Sequence, residues 1–219
     1  MSSIQFFEDK SGKNVPLPLR STMVTLKSGH RVLFSPIKFN EKDIKALKIT
    51  PPHALVAPNL LHHLYIKKAA DDFKVDNLYG PPGLQQKRPQ LEWSIVLGDK
   101  TWSYQEDLPM ILVEGAPRLN ECVFFHKESR TLIVTDLIFN LSGLELNLKN
   151  FIFKLFGTFN RPACSRLLHV FVKDKKLFKA SLNKILEWDF DRIVMAHGNI
   201  IESGGKEIFR YALKDRGFI

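Results

Sequence analysis

Residues 54–66, ALVAPNLLHHLYI, decide how this chain folds. Ala54 to Ala57 make an apolar run containing β-branched Val56, Pro58 and Asn59 break it, and the adjacent His62 and His63 head an amphipathic segment. That order predicts a strand, a turn and a helix, with both histidines at the junction. Neighbouring helical residues point about 100° apart, so adjacent side chains converge on one atom most readily where a loop enters a helix. His62 and His63 are therefore candidate metal ligands; the competing reading is a capping or surface pair.

On the N-terminal side, Met23 begins MVTLKSGHRVLFSPI, two alternating runs about a Ser-Gly turn, which predicts a hairpin. Residues 1–20 carry Gly12, Pro16 and Pro18 among polar residues and read as a partly extended entry segment. A helix is expected over Glu41–Lys48, stopped by Pro51-Pro52. On the C-terminal side the central helix runs to about Phe73, and turn residues at Gly80-Pro81-Pro82-Gly83 separate it from a strand in LEWSIVLGD. MILVEG gives another strand, and CVFFHKESRTLIVTDLIF a second hairpin whose outgoing strand ends near Asp136. Helices follow over Leu148–Phe156, Leu167–Val172 and Lys179–Trp188, then a strand in RIVMAHG ending at His197-Gly198, then a helix over Lys206–Lys214. With no repeat of fixed period and no linker, residues 1–219 read as one layered α/β or α+β domain.

Composition narrows the function classes. A chain of 219 residues that is 44% hydrophobic can bury a substantial core. The net charge of +9 favours anionic partners: nucleic acid, acidic lipid headgroups or a small anionic substrate. Nucleic acid has charge alone in its favour, because no basic tail, zinc-finger spacing or aromatic-interleaved motif is present, and it stays open on that basis. No apolar run is long enough to span a bilayer and the N-terminus lacks a signal pattern, so a cytoplasmic location is expected. Cys122 and Cys164 are far apart and outside any C-x-x-C spacing, so a metal would be held by histidine and carboxylate. Walker, G-x-S-x-G and dinucleotide motifs are absent.

Four metal-ligating residues fall at strand-to-loop boundaries: His62, His63, Asp136 and His197. Such positions bring side chains from different strands to one sheet edge. His30 and His126 lie in hairpin turns, His53 beside two prolines and His169 on a helical face, where structural or exposed roles suffice.

This order, with a histidine-bearing turn, a strand ending in Asp136 and a late strand ending in His197-Gly198, resembles the metallo-β-lactamase superfamily. The resemblance covers about Met23 to Gly205 and implies an α+β αββα sandwich. Against that family's H-x-H-x-D-H motif, Pro58-Asn59-Leu60-Leu61-His62-His63 puts Pro58 and Leu60 at the first two histidines and His62 at the aspartate, and keeps His63. A further metal-binding histidine would fall near Pro117 and is missing, whereas Asp136 matches the bridging aspartate and His197 the terminal histidine. The losses thus fall on one metal position and the retained donors on the other. The strings APNLLHHLYI and EWDFDRIVMAHG also look similar to an uncharacterised branch with N-x-x-H-H in place of the usual motif.

The resemblance implies one divalent ion held by His62, His63, Asp136 and His197, with zinc first and iron, nickel or manganese as alternatives. Four protein ligands would fill a tetrahedral zinc and mark a structural site, whereas an open position would allow hydrolysis of an ester, thioester or phosphoester. Glu121 is then a candidate base or extra ligand, and Asn59 a candidate oxyanion donor or helix cap. The rival class is a non-catalytic binding module in which a metal, if any, ties loops together. Oligomeric state is not encoded in any of these motifs.

Overall fold

The computed structural model describes residues 3–9, 19–98, 102–145 and 150–219. Its first sheet has the order β1-β2-β3-β4-β5-β6. The strands are β1 (Ile4–Asp9), β2 (Leu19–Thr25), β3 (Arg31–Phe34), β4 (Ala54–Val56), β5 (Leu78–Gly80) and β6 (Ile95–Val96). A second sheet has the order β12-β9-β8-β7, from β7 (Met110–Leu112), β8 (Cys122–His126), β9 (Thr131–Ile133) and β12 (Arg192–Val194). Two short strands, β10 (Phe139–Asn140) and β11 (Pro162–Ala163), pair with each other. Helices α1 (Glu41–Ile49), α2 (Ile66–Phe73) and α3 (Leu84–Lys87) accompany the first sheet. The later helices are α4 (Phe151–Leu155), α5 (Leu168–Phe171), α6 (Lys175–Glu187) and α7 (Gly205–Asp215).

The period-2 alternation of strand residues separates three cores. Val32, Phe34, Val56, Cys122, Phe124 and Ile133 point between the sheets. Leu33 and Leu55, one residue out of phase, meet Ile66, Ala69 and Phe73 of α2 on the outer face of the first sheet. Val123 and Leu132 meet Leu182 and Ile185 of α6 and Phe209 of α7 on the outer face of the second. Helix, sheet, sheet and helix therefore stack in four layers, the expected αββα sandwich.

Both hairpins form where the alternation places them, β2 with β3 and β8 with β9, each antiparallel. Elsewhere the sequence reading is corrected. The entry segment contains β1, which pairs antiparallel with β2; residues 10–18 lie outside the described residues. The central helix starts at Ile66, after the histidines rather than at them. Helix α6 starts four residues before the expected Lys179, because the Asp174 side chain accepts from the backbone N–H of Lys176 and Leu177 and caps it. Of the helix expected over Leu148–Phe156, residues 148 and 149 lie outside the described residues, and Phe151–Leu155 is helical.

Pairing is parallel between β3 and β4 and between β9 and β12. The C-terminal ends of these four strands are where the chain gathers its polar groups.

Candidate metal centre

Each of these strand ends delivers one or two residues. Ser35 follows β3, the Asn59–His63 turn follows β4, Thr135 and Asp136 follow β9, and His197 follows β12. Asn59 is fully buried and organises the turn: its Oδ1 accepts the backbone N–H of Leu61 and His62, each at 2.8 Å. Its Nδ2 donates to Asp136 Oδ2 at 2.7 Å and to Thr135 Oγ1 at 2.9 Å. One amide thereby fixes the histidine turn of the first sheet to the aspartate turn of the second.

This geometry brings three of the four expected ligands together. His62 Nε2 lies 3.3 Å from Asp136 Oδ2, and His197 Nε2 lies 3.7 Å from Asp136 Oδ1. One ligand atom from each of the three falls within 4.8 Å of the others. His62 Nδ1 is 2.7 Å from Ser35 Oγ, which leaves Nε2 directed at the carboxylate. Ser35 has a φ of 51°, an uncommon conformation for a residue other than glycine. Phe139 stacks on the His197 ring at 5.5 Å. Beside it Gly198, with a φ of 88°, touches β10 so closely that an added Cβ would lie 2.1 Å from the Asn140 carbonyl oxygen.

His63 turns the opposite way. It is buried, and its Nδ1 accepts from Arg88 Nε at 2.9 Å. Burial first, then the Lys87 and Arg88 charges, lower its pKa to about 4, so the ring is neutral at physiological pH. The two histidines do not converge, because the Asn59-capped turn ends before α2 begins.

Glu121 and Asn59 also have tasks other than those expected of them. Glu121, just before β8, is fully buried, and its carboxylate oxygens accept the backbone N–H of Thr135 at 2.7 Å and of Asp136 at 2.9 Å. It holds the Asp136 turn in place. Asn59 caps the histidine turn rather than α2, whose N-cap, Tyr65, makes no side-chain hydrogen bond. Its amide N–H groups are directed at protein oxygens.

The places where the family's other metal position would lie are differently filled. Pro58 gives its carbonyl oxygen to Cys122 N, and Leu60 joins the apolar cluster on the outer face of the first sheet. Pro117 is exposed.

Electrostatics sort the buried groups. Burial raises the Asp136 pKa, but the charge and hydrogen bond of His62, followed by His197 and Asn59, outweigh it and hold the carboxylate at about 2. Burial would lower His62, but the charge and hydrogen bond of Asp136, with Glu121 adding, turn the net shift upward. Burial and then the Asp136 charge push Glu121 up to about 7. Glu121 and His62 therefore act alike on stability. Each has a folded pKa above its unfolded value, so its contribution is full at low pH and is lost as pH rises through the folded value. Asp136 acts oppositely, but only as pH falls from 3.8 toward about 2. His63, lowered to about 4, works against Glu121 and His62, gaining stability as pH rises toward 6.5, so the test is a comparison of two proteins. Without added metal, the thermal midpoint of a His62→Asn variant is expected to fall less, or rise more, between pH 5 and pH 8 than that of the unaltered chain. Equal slopes in both proteins would contradict the assignment.

Similarity searches bear on the fold. No family model matches the chain, and no curated protein matches it in sequence. Solved structures do. A metallo-β-lactamase from Pontibacter korlensis superposes with a TM-score of 0.62 at 14% identity, over 98% of this chain and 96% of that one. The mono-zinc form of the metallo-β-lactamase FIM-1 from Pseudomonas aeruginosa gives 0.62 at 14% identity, over 100% and 97%. This chain has the metallo-β-lactamase fold. The metal-soaked flavodiiron core from Synechocystis shares that fold, with a TM-score of 0.67 at 12% identity. There 97% of this chain matches, but it spans only 58% of the other protein's length. On the metallo-β-lactamase fold the His62, Asp136 and His197 cluster is a group able to hold a metal ion.

Ser35 escaped the sequence reading. The only local signal was a Ser-Pro step directly after an alternating strand, and its partner His62 is 27 residues away.

Proposed function

We propose that this chain is a divergent metallo-β-lactamase-superfamily hydrolase that uses one divalent ion, held by His62, Asp136 and His197, to cleave an ester, thioester or phosphoester. The observation that carries the proposal is the convergence of three donors rather than four. One ligand atom from each of the three lies within 4.8 Å of the others, His62 Nε2 being 3.3 Å from one Asp136 oxygen and His197 Nε2 3.7 Å from the other. Three protein donors leave one tetrahedral position for water, the arrangement of catalytic rather than structural zinc.

When bound, a divalent ion supplies a Lewis acid and a water with its pKa lowered to about 7. The chain's own residues prepare that site. Asp136 is ionised at every physiological pH; Asn59 donates to its carboxylate and Glu121 accepts its backbone N–H. Ser35 sets the His62 ring so that Nε2 faces inward, the second-layer contact that metal-binding imidazoles commonly make. His63, engaged by Arg88, lies outside the proposed ligand set. Zinc is the first expectation, and a two-histidine, one-carboxylate set also suits iron or manganese.

Ser35→Ala is expected to weaken zinc binding by about 10- to 100-fold while leaving the fold intact. Competition with a chromophoric chelator measures this, and unchanged affinity would remove Ser35 from the site. For activity, metal-loaded and chelator-treated protein should be compared on generic esters, thioesters and phosphoesters. Hydrolysis that disappears on chelation and returns with zinc is expected, and hydrolysis indifferent to chelation would contradict the proposal.

A second reading has one observation in its favour. The side chains of His62, Asp136 and His197 are only 8%, 13% and 10% exposed, as suits an ion that ties two loops together. Stoichiometric metal without turnover of any substrate class would select it.

A further inference from the structure

The chain's positive charge is concentrated beside an uncovered apolar face. Between β10 and β11 the chain makes an excursion containing α4, on which Phe151, Ile152 and Leu155 are exposed. Leu167 and Val170, at the start and middle of the next helical segment, are exposed as well. These five side chains are each between 40% and 55% exposed, and they make up half of the large apolar residues that stand out from the described surface. The two segments adjoin: Arg166 N donates to the Phe156 carbonyl at 2.9 Å, and Arg166 Nη1 to that of Leu155 at 3.0 Å. Phe151 and Leu155, at i and i+4, share one face of α4, and Leu167 and Val170 are spaced i and i+3.

Along the sequence, the charge of this stretch is almost all of one sign. Residues 150–173 contain Lys154, Arg161, Arg166 and Lys173 and no aspartate or glutamate. Extending the stretch to residue 186 adds Lys175, Lys176, Lys179 and Lys184, against the single acid Asp174, whose carboxylate caps α6. Arg161 is paired with Asp215, whereas Lys154 and Lys173 are exposed. A soluble surface does not ordinarily leave this many large apolar side chains together. Apolar side chains rimmed by lysine are the pattern by which short helices sit in the headgroup region of an anionic bilayer. Nucleic acid would be met by the same charge, but it gives aliphatic Ile152, Leu155 and Leu167 nothing to enter.

We infer that the α4–α5 face docks this protein peripherally on membranes rich in anionic lipid, with Phe151, Ile152, Leu155, Leu167 and Val170 in the headgroup layer and Lys154 and Lys173 on phosphates. The inference stands independently of the metal centre. No helix among the described residues is long and apolar enough to cross a membrane.

Co-sedimentation of the full chain with vesicles tests it. Binding is expected to vesicles of phosphatidylcholine with phosphatidylserine and not to phosphatidylcholine alone, and it should weaken as salt is raised. Lys154→Glu with Lys173→Glu should reduce binding at least about tenfold. Phe151→Ser, Ile152→Ser and Leu155→Ser combined should abolish it at a temperature where circular dichroism shows the variant still folded, since about half of each side chain is exposed. Absence of binding to anionic vesicles, or binding unaffected by the triple serine variant, would overturn the inference. So would binding of a single-stranded RNA through this face in preference to vesicles, or a stable dimer that the triple serine variant dissociates.

Discussion

Replacing His62 with alanine is expected to lower bound zinc, after dialysis against micromolar zinc, from about one equivalent to less than about a tenth. The reason is the small number of donors. With His62 gone, Asp136 and His197 are the two that remain, separated by 3.7 Å, and two donors do not retain an ion against water at micromolar concentration. His197→Ala should behave in the same way. His63→Ala is the informative contrast, because its ring accepts from Arg88 and is not among the ligand atoms gathered about Asp136. That variant should keep its zinc and lose only modest stability from the unsatisfied Arg88 contact. Equal metal loss in His62→Ala and His63→Ala would restore the four-ligand set suggested by the motif alignment.

Glu121→Ala has the second large expected effect, a destabilisation of about 3 kcal/mol, seen as a fall on the order of 10 °C in the thermal midpoint. Two effects oppose each other at this position. A buried carboxylate next to the Asp136 charge is costly, which is why its pKa lies near 7, and removing it relieves that cost. However, its oxygens are acceptors for the buried N–H of Thr135 and for that of Asp136, and alanine leaves both without one. Lost charge-assisted hydrogen bonds together with desolvated amides exceed the relieved repulsion, so the net effect is loss. Glu121→Gln should be intermediate, since its amide offers one acceptor but turns an NH2 toward the second N–H. Both variants should also bind zinc more weakly although no ligand has been removed, because the Asp136 turn loses its anchor. Unchanged stability in Glu121→Ala would show that the carboxylate is not what holds that turn.

The extent to which the sequence foretold this structure follows from what each element depends on. Hairpins β2–β3 and β8–β9 were legible because alternation and a turn are local signals, and α1 because Ile44 and Leu47 lie at helical spacing before the Pro51-Pro52 stop. Strands β5, β10 and β11 were not, being two or three residues long and defined only by partners far along the chain. Asp136 and His197 were legible as polar residues ending apolar strands. The choice between His62 and His63 was not, because it rests on Asn59 capping the turn and on Arg88, 25 residues away, claiming His63. Glu121 is legible as a carboxylate just before a strand, but its burial is not, since nothing local says that the turn after β9 directs two amides at it.

Anomalous scattering at the zinc absorption edge from crystals grown with equimolar zinc tests the central claim most directly. One peak is predicted, within bonding distance of His62 Nε2, an Asp136 carboxylate oxygen and His197 Nε2 and of no atom of His63. A peak located elsewhere, or no peak at these three residues when zinc is in excess, would contradict it.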